Sequence, residues 1–246
     1  MAAFRERLAQ REYVLGEFNE RLDFSWIYHD NALEGVVLSF HELKAAIDKN
    51  IISDASLIPA YMDINNHKLA IEFVRDCVAR RKTNFGLDFL KKVYPIFNAE
   101  ENAASARNPL QYRKDNPLHR LYFHEIAPPE KISYRVRKLA DWLGSEEARK
   151  THPIKRAAKA HFRLISIYPW PKHSGKVARL LMNALLIKDG YLPAIIHAIE
   201  RQRYYEVLRA PHAGLTTLLT ESLDGTIDAA HRLLDEAEQA VVRAAS

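Results

Sequence analysis

The sequence predicts a mainly α-helical protein of one domain, with a short β-hairpin inserted ahead of its central helices. Three observations carry this. Apolar residues recur at three- and four-residue spacings in most segments, the period of a helix with one buried face. Eight glycines among 246 residues leave little material for turn-rich β structure. Between Ala106 and Glu130 the helical period lapses.

In chain order, Phe4, Leu8, Leu15, Phe18 and Leu22 mark a first amphipathic helix. Ser39 and Glu42 have the S-x-x-E spacing of a capping box and open a helix that turns Phe40, Leu43 and Ile47 inward. Residues 55 to 82 read as a long helix with Ile64, Ile71, Val74 and Val78 on one side. Arg80, Arg81 and Lys82 stand at its C-terminal end, where the helix dipole favours positive charge. Gly86 to Phe97 gives a shorter helix stopped around Pro95.

Asn108-Pro109, Asn116-Pro117 and Pro128-Pro129 then punctuate the chain, and Leu110 to Arg113 and Leu121 to Phe123 are the candidate strands. Ile132, Val136, Leu139, Ala140 and Leu143 form another amphipathic helix, closed by Gly144. A helix from about Pro153 runs to Ile167, with His161 on its apolar side as a core histidine. After Pro193 come a helix bearing Tyr204 and Tyr205 and a last one with Ile227, Ala230, Leu234, Ala237 and Val241.

Composition narrows the function. A formal charge of +5 is modest, and lysines and arginines are interspersed with acids, so nucleic acid is not an expected partner. One cysteine, Cys77, leaves no internal disulfide and fits a reducing compartment. The opening MAAFRERLAQRE is charged from Arg5 onward, without an apolar signal segment, and Leu180 to Ile187 is far too short to span a bilayer. These features predict a cytoplasmic protein without membrane attachment. His119 and His124, five residues apart, fit no metal motif, and no metal site is expected.

The chain is organised around residues 161 to 190. A turn held by Pro169 and Pro171 climbs through Lys172, His173 and Ser174 into a helix starting near Gly175-Lys176. Val177, Leu180, Leu181, Ala184 and Leu185 form its buried face, and Gly190 and Pro193 end it. Backbone N–H groups at such a helix start favour an anion, and Lys176 and Arg179 add positive charge. This is the build of a phosphate cradle.

The string YPWPKHSGK followed by VARLLMN resembles the signature of the Fic/Fido family, H-P-F-x-D-G-N-G-R before a helix ending in R-L-L-M-N. Pro169, Gly175, Arg179 and Leu180 to Asn183 agree with it. Tyr168 stands at the family's histidine, Trp170 at its phenylalanine, Lys172 at its acid, His173 at its small residue, Ser174 at its asparagine and Lys176 at its first arginine. Upstream, Glu34-Gly35 resembles the family's inhibitory motif, with Asp30 where that motif has Ser or Thr.

The resemblance covers roughly residues 25 to 225 and implies a Fic/Fido-type helical bundle. Residues 1–50 would carry the inhibitory-type motif, 106–130 a β-hairpin flap that registers a target protein, 152–190 the signature helices and 191–246 the C-terminal helices. It implies transfer of AMP from a nucleotide to a protein hydroxyl, with a histidine base, an acid on Mg²⁺ and cationic side chains on the phosphates. It also implies that Glu34 pairs with Arg179 and that a tyrosine near Tyr204 packs by the adenine.

Here the base position holds Tyr168, and an unperturbed phenol, with a pKa of about 10, is almost wholly protonated at neutral pH. Lys172 repels the cation that a carboxylate would bind, so Mg²⁺ is not expected. The leading expectation is a pseudoenzyme that binds ATP or another nucleotide through Lys172, Ser174, Gly175, Lys176 and Arg179, regulated by Glu34. An alternative is altered transfer or phosphate-ester chemistry, with His173 as base and Lys172 in place of the metal. A third is an interaction scaffold meeting a protein partner through the flap. A homo-oligomer is compatible with each.

Overall fold

The computed structural model describes residues 12–47, 58–80, 84–99, 111–117, 124–210 and 213–245. Ten α-helices are described: α1 (Glu12–Leu33), α2 (Phe40–Ile47), α3 (Ile58–Ala79), α4 (Leu87–Phe97), α5 (Ile132–Gly144), α6 (Glu146–Lys150), α7 (Pro153–Ile167), α8 (Ser174–Lys188), α9 (Arg201–Val207) and α10 (Ala213–Ala245). Two short 3₁₀ turns, Pro129–Lys131 and Ala198–Glu200, lead into α5 and α9.

Local chemistry sets the helix ends. Ser39 and Glu42 close the expected capping box: the Ser39 N–H donates to Glu42 Oε2 at 2.7 Å, and the Glu42 N–H to Ser39 Oγ at 3.2 Å. Ser145 caps α6 by accepting from the Ala148 N–H, and Pro153 starts α7 where no N–H is needed. At the end of α8, Gly190 takes φ 92°. Its N–H donates to the Ile187 carbonyl and the Tyr191 N–H to that of Leu186, a Schellman closure that a side chain would strain. Pro95 lies inside the last turn of α4, which runs on to Phe97.

Helix α8 is the axis. Every residue from Ser174 to Leu186 is buried, so the single apolar face read from the sequence is one side of a helix enclosed all round. It packs chiefly against α7, and against α3 and α4 on another side, while α5 and α10 cover α7. Helix α1 lies on α3 and α10. Phe40 and Val241 belong to helices α2 and α10, but their side chains, like residues 81–82, lie outside what is described; Leu43 and Ile47 are buried as expected. Cys77 is half-buried, and burial pushes its thiol pKa up, which suits a packing residue rather than a nucleophile.

The expected β-hairpin flap is not found: among the described residues there is no strand. Leu110 and Leu121 to Phe123 lie outside the described residues, as does His119. The described limbs, 111–117 and 124–128, bond to the end of α7 instead of forming a described ladder with each other. The Arg113 N–H donates to the Pro169 carbonyl and the Ala127 N–H to that of Ser166, each at 2.9 Å.

Arg113 holds this arrangement together. Its buried guanidinium donates to the carbonyls of Tyr168 (2.7 Å), Ile167 (3.3 Å), Asp115 (3.0 Å) and Ala127, and to Asn116 Oδ1 at 2.7 Å. It thereby satisfies carbonyls that the end of α7 leaves open. Arg113→Ala should cost about 2–4 kcal/mol of stability, because buried acceptors lose a charged donor; denaturant unfolding of the two proteins measures it.

Candidate functional site

The loop between α7 and α8 is held in an uncommon backbone. Tyr168 (φ 48°) and His173 (φ 60°) both take left-handed conformations, which non-glycine residues adopt only when the surroundings hold them there. Ser174 supplies one restraint: its hydroxyl accepts from the Trp170 N–H and donates to the Trp170 carbonyl, both at 2.8 Å. Trp170 is fully buried, stacked on Tyr94 with centroids 4.2 Å apart. A larger ring at this position is thus accommodated by packing. Tyr168 is 2% exposed, so its phenol is enclosed by protein rather than presented to a substrate.

The cradle at the start of α8 is already occupied by the protein's own acids. Arg179, 1% exposed, donates from Nε to Asp30 Oδ1 at 2.7 Å and from Nη2 to Glu34 Oε1 at 3.0 Å. Nη1 reaches the Tyr204 hydroxyl at 3.3 Å. The expected Glu34–Arg179 pair is present, and Asp30 adds a shorter, more deeply buried one. The Glu34 carboxylate lies on Gly175, where a Cβ would overlap it. Only glycine allows that approach to the first turn of α8, a place that favours an anion.

Lys176 is closed in the same way. Its ammonium, almost wholly buried, bonds to Asn31 Oδ1 at 2.8 Å and to Asp63 of α3. His67 of α3, fully buried, sits with Nε2 3.4 Å from Asp30 Oδ2. Three carboxylates (Asp30, Glu34, Asp63) therefore face two cations (Lys176, Arg179) at the place expected to carry positive charge. Burial works to raise the Asp30 pKa, but Arg179 and His67 outweigh it and hold the carboxyl below its ordinary value. For Asp63, burial is likewise outweighed, by Lys176 and then His173. Burial opposes the charge of Arg179, yet Asp30, Tyr204 and Glu34 leave its pKa raised.

The two residues expected to carry alternative chemistry are placed differently. Lys172 is exposed on the loop. His173 is turned inward, stacked on Phe97 (5.5 Å) with Nδ1 3.5 Å from Asp63 Oδ1. Burial lowers its pKa to about 4 in spite of Asp63, well below the range of an effective base at neutral pH. It fills the cradle rather than lining it. Among the described residues no cluster of His, Cys, Asp and Glu is arranged to hold a metal ion.

His161 is a core residue, as expected, with Nε2 3.0 Å from the Tyr204 hydroxyl. Tyr204 is buried with its hydroxyl between His161 of α7 and Arg179 of α8, and Tyr205 donates to the Leu33 carbonyl of α1 at 3.0 Å, so both are committed to the interior. Sequence reading missed Asp63, Asn31 and His67. Their one signal is a run of polar residues at three- and four-residue spacing on α3 and next to Asp30 on α1.

Residues 90–186, which hold most of α4, all of α5 to α7, the whole loop and most of α8, match the model of the Fic/DOC family. They form a Fic/Fido-family domain. Relatives include the protein adenylyltransferase Fic of Nematostella vectensis, 27% identical over 192 residues, and that of Aedes aegypti, 27% identical over 190. These alignments take in 78% and 76% of this chain but 44% and 37% of the relatives, so the chain spans less than half their length. The fold matches a Fic-domain-containing signaling protein from Bacteroides thetaiotaomicron (TM-score 0.74, 20% identity, 94% of this chain and 97% of that one). It also matches Fic-1 from C. elegans (TM-score 0.72, 22% identity, 97% and 74%).

Two outcomes follow from these buried charges. Asp30→Ala should cost about 3–5 kcal/mol, since it strands the Arg179 guanidinium without its nearest counter-charge; chemical denaturation at pH 7 reads it. The second concerns His161, whose pKa burial, and then Arg179, push down to about 3. Between about pH 6.5 and 3 the unfolded chain binds a proton there that the folded one does not, so stability declines as pH falls through this window. From pH 7 to 5 this histidine alone should lose about 2 kcal/mol, and His161→Gln should flatten the stability–pH curve measured by urea unfolding.

Proposed function

We propose that this Fic-fold protein does not transfer AMP and acts as a pseudoenzyme in a binding or regulatory role. The observation that carries the reading is the internal closure of the cradle: Lys176 and Arg179 are buried and paired to Asp63, Asp30 and Glu34. A nucleotide's phosphates would have to displace these carboxylates and overcome an excess of negative charge. The buried Tyr168 at the position of the base, and the exposed Lys172 at that of the metal-binding acid, point the same way. Altered chemistry through His173 has nothing in its favour, because the ring is packed on Phe97 with a pKa near 4.

Asp30 makes the closure redundant. In the family pattern, removal of the inhibitory glutamate frees the arginine; here Asp30 still holds Nε of Arg179 after Glu34 is gone. On this reading Glu34 is chiefly a structural anion, and any nucleotide bound on opening of the pair would be held without turnover. The protein works in a reducing, cytoplasmic setting, in keeping with its lone half-buried Cys77.

Labelled ATP with Mg²⁺ and cell lysate supplies the test. Wild type, Glu34→Gly and the Asp30→Asn/Glu34→Gly pair should all leave lysate proteins unlabelled. Labelling of any protein hydroxyl by the wild type or by Glu34→Gly overturns the pseudoenzyme reading.

A further inference from the structure

A second surface, away from the cradle, has the chemistry of a docking groove. It consists of two adjoining hollows that share Arg135, Phe162 and Ser166. One runs between α5 and α7, over Leu139 and Ile167; the other continues between residues 125–128 and the end of α9, over Leu208. The floor is apolar, and Leu139, Ile167 and Leu208 belong to the hydrophobic core. The walls are cationic: Arg135, Lys138 and Arg163 line the first hollow and Arg209 the second, against one carboxylate, Glu125.

Two of these cations are presented rather than spent. Arg135 and Lys138 are exposed on successive turns of α5, and among the described residues neither is ion-paired. Arg163 is set by stacking over Trp142, 4.4 Å from the ring centroid, with Lys159 on the same ring at 4.8 Å. The opposite holds in the cradle, where each cation is buried against an acid. Excess charge of one sign over an apolar floor selects by charge at the rim and by area at the centre.

We propose that this groove binds an acidic, apolar-centred peptide segment of a partner protein. Two hollows in line suit an extended chain, which can lay carboxylates along both walls and an apolar side chain onto Phe162. A bare polyanion such as nucleic acid would meet the same charges but leave the floor uncovered. The groove also touches the loop that defines the cradle. Its floor residue Ile167 is the last residue before Tyr168, and Ser166 receives the Ala127 N–H. A segment seated there lies against the end of α7. The inference stands apart from whether the protein transfers AMP.

The test is a random-peptide display library panned on the purified protein, followed by fluorescence anisotropy on the enriched peptides. Enrichment of sequences combining Asp or Glu with an aromatic or leucine side chain is expected. Arg135→Glu/Lys138→Glu should weaken their binding by about tenfold or more, as like charges meet at the rim, with an unchanged circular dichroism spectrum. Arg137→Glu, on the same helix but outside the groove, should bind as wild type does, and added salt should weaken binding. Enrichment of neutral or basic peptides, no enrichment, or equal binding by the double variant overturns the proposal. So does tighter binding, sensitive to the same double variant, of a single-stranded oligonucleotide or of phosphatidylserine vesicles.

Discussion

The guanidinium of Arg179 sits at the centre of the protein, and the structure depends on how its charge is met. Burying such a group costs several kcal/mol unless counter-charge and hydrogen bonds replace water, and here the counter-charge comes from Asp30 of α1 and Glu34 in the turn after it. Asp30 lies four residues before Glu34, one helical turn, so the two carboxylates reach neighbouring faces of the same guanidinium. That requirement positions the C-terminal end of α1 over the start of α8. Tyr204 and Tyr205 complete the joint, the first on Arg179 itself and the second on the carbonyl of Leu33. The neutral state of His161 belongs to the same balance, since a second cation beside Arg179 would undo it.

The loop ahead of α8 is fixed by a different set of forces. Its left-handed residues, Tyr168 and His173, are held by hydrogen bonds and packing on either side. Arg113 takes up the open carbonyls before the loop, Ser174 ties both backbone groups of Trp170, and Tyr94 stacks on the indole. The loop is thus kept in shape by contacts within the chain.

Much of this was legible in the sequence, and the reasons for the misses are physical. Helical period and capping chemistry are local, so the Ser39–Glu42 box, the end of α7 at Ile167 and the closure at Gly190 could be read from neighbouring residues. The pair Glu34–Arg179 was reachable only through the family pattern, being 145 residues apart. Asp30 was noticed as a substitution, but its reach to Arg179 depends on the angle between α1 and α8, which no spacing encodes. Asp63, Asn31 and His67 were missed for the same reason. For the hairpin no strand is found among the described residues: proline-rich punctuation marks a break in helix without saying where the freed backbone bonds, and the described limbs bond to the end of α7 and to Pro169 just after it.

Gly175 and Arg179 keep the residues of the signature, and Lys176 keeps the positive charge of its first arginine. Gly175, Lys176 and Arg179 are residues that a phosphate cradle needs, and their presence invites a nucleotide. In this fold each is already required by something else. Gly175 makes room for the Glu34 carboxylate, Lys176 joins α8 to α1 and α3, and Arg179 neutralises Asp30 of α1 and Glu34 in the turn after it. Replacing either cation would leave carboxylates buried and unpaired, a loss of stability large enough to account for these residues without any ligand.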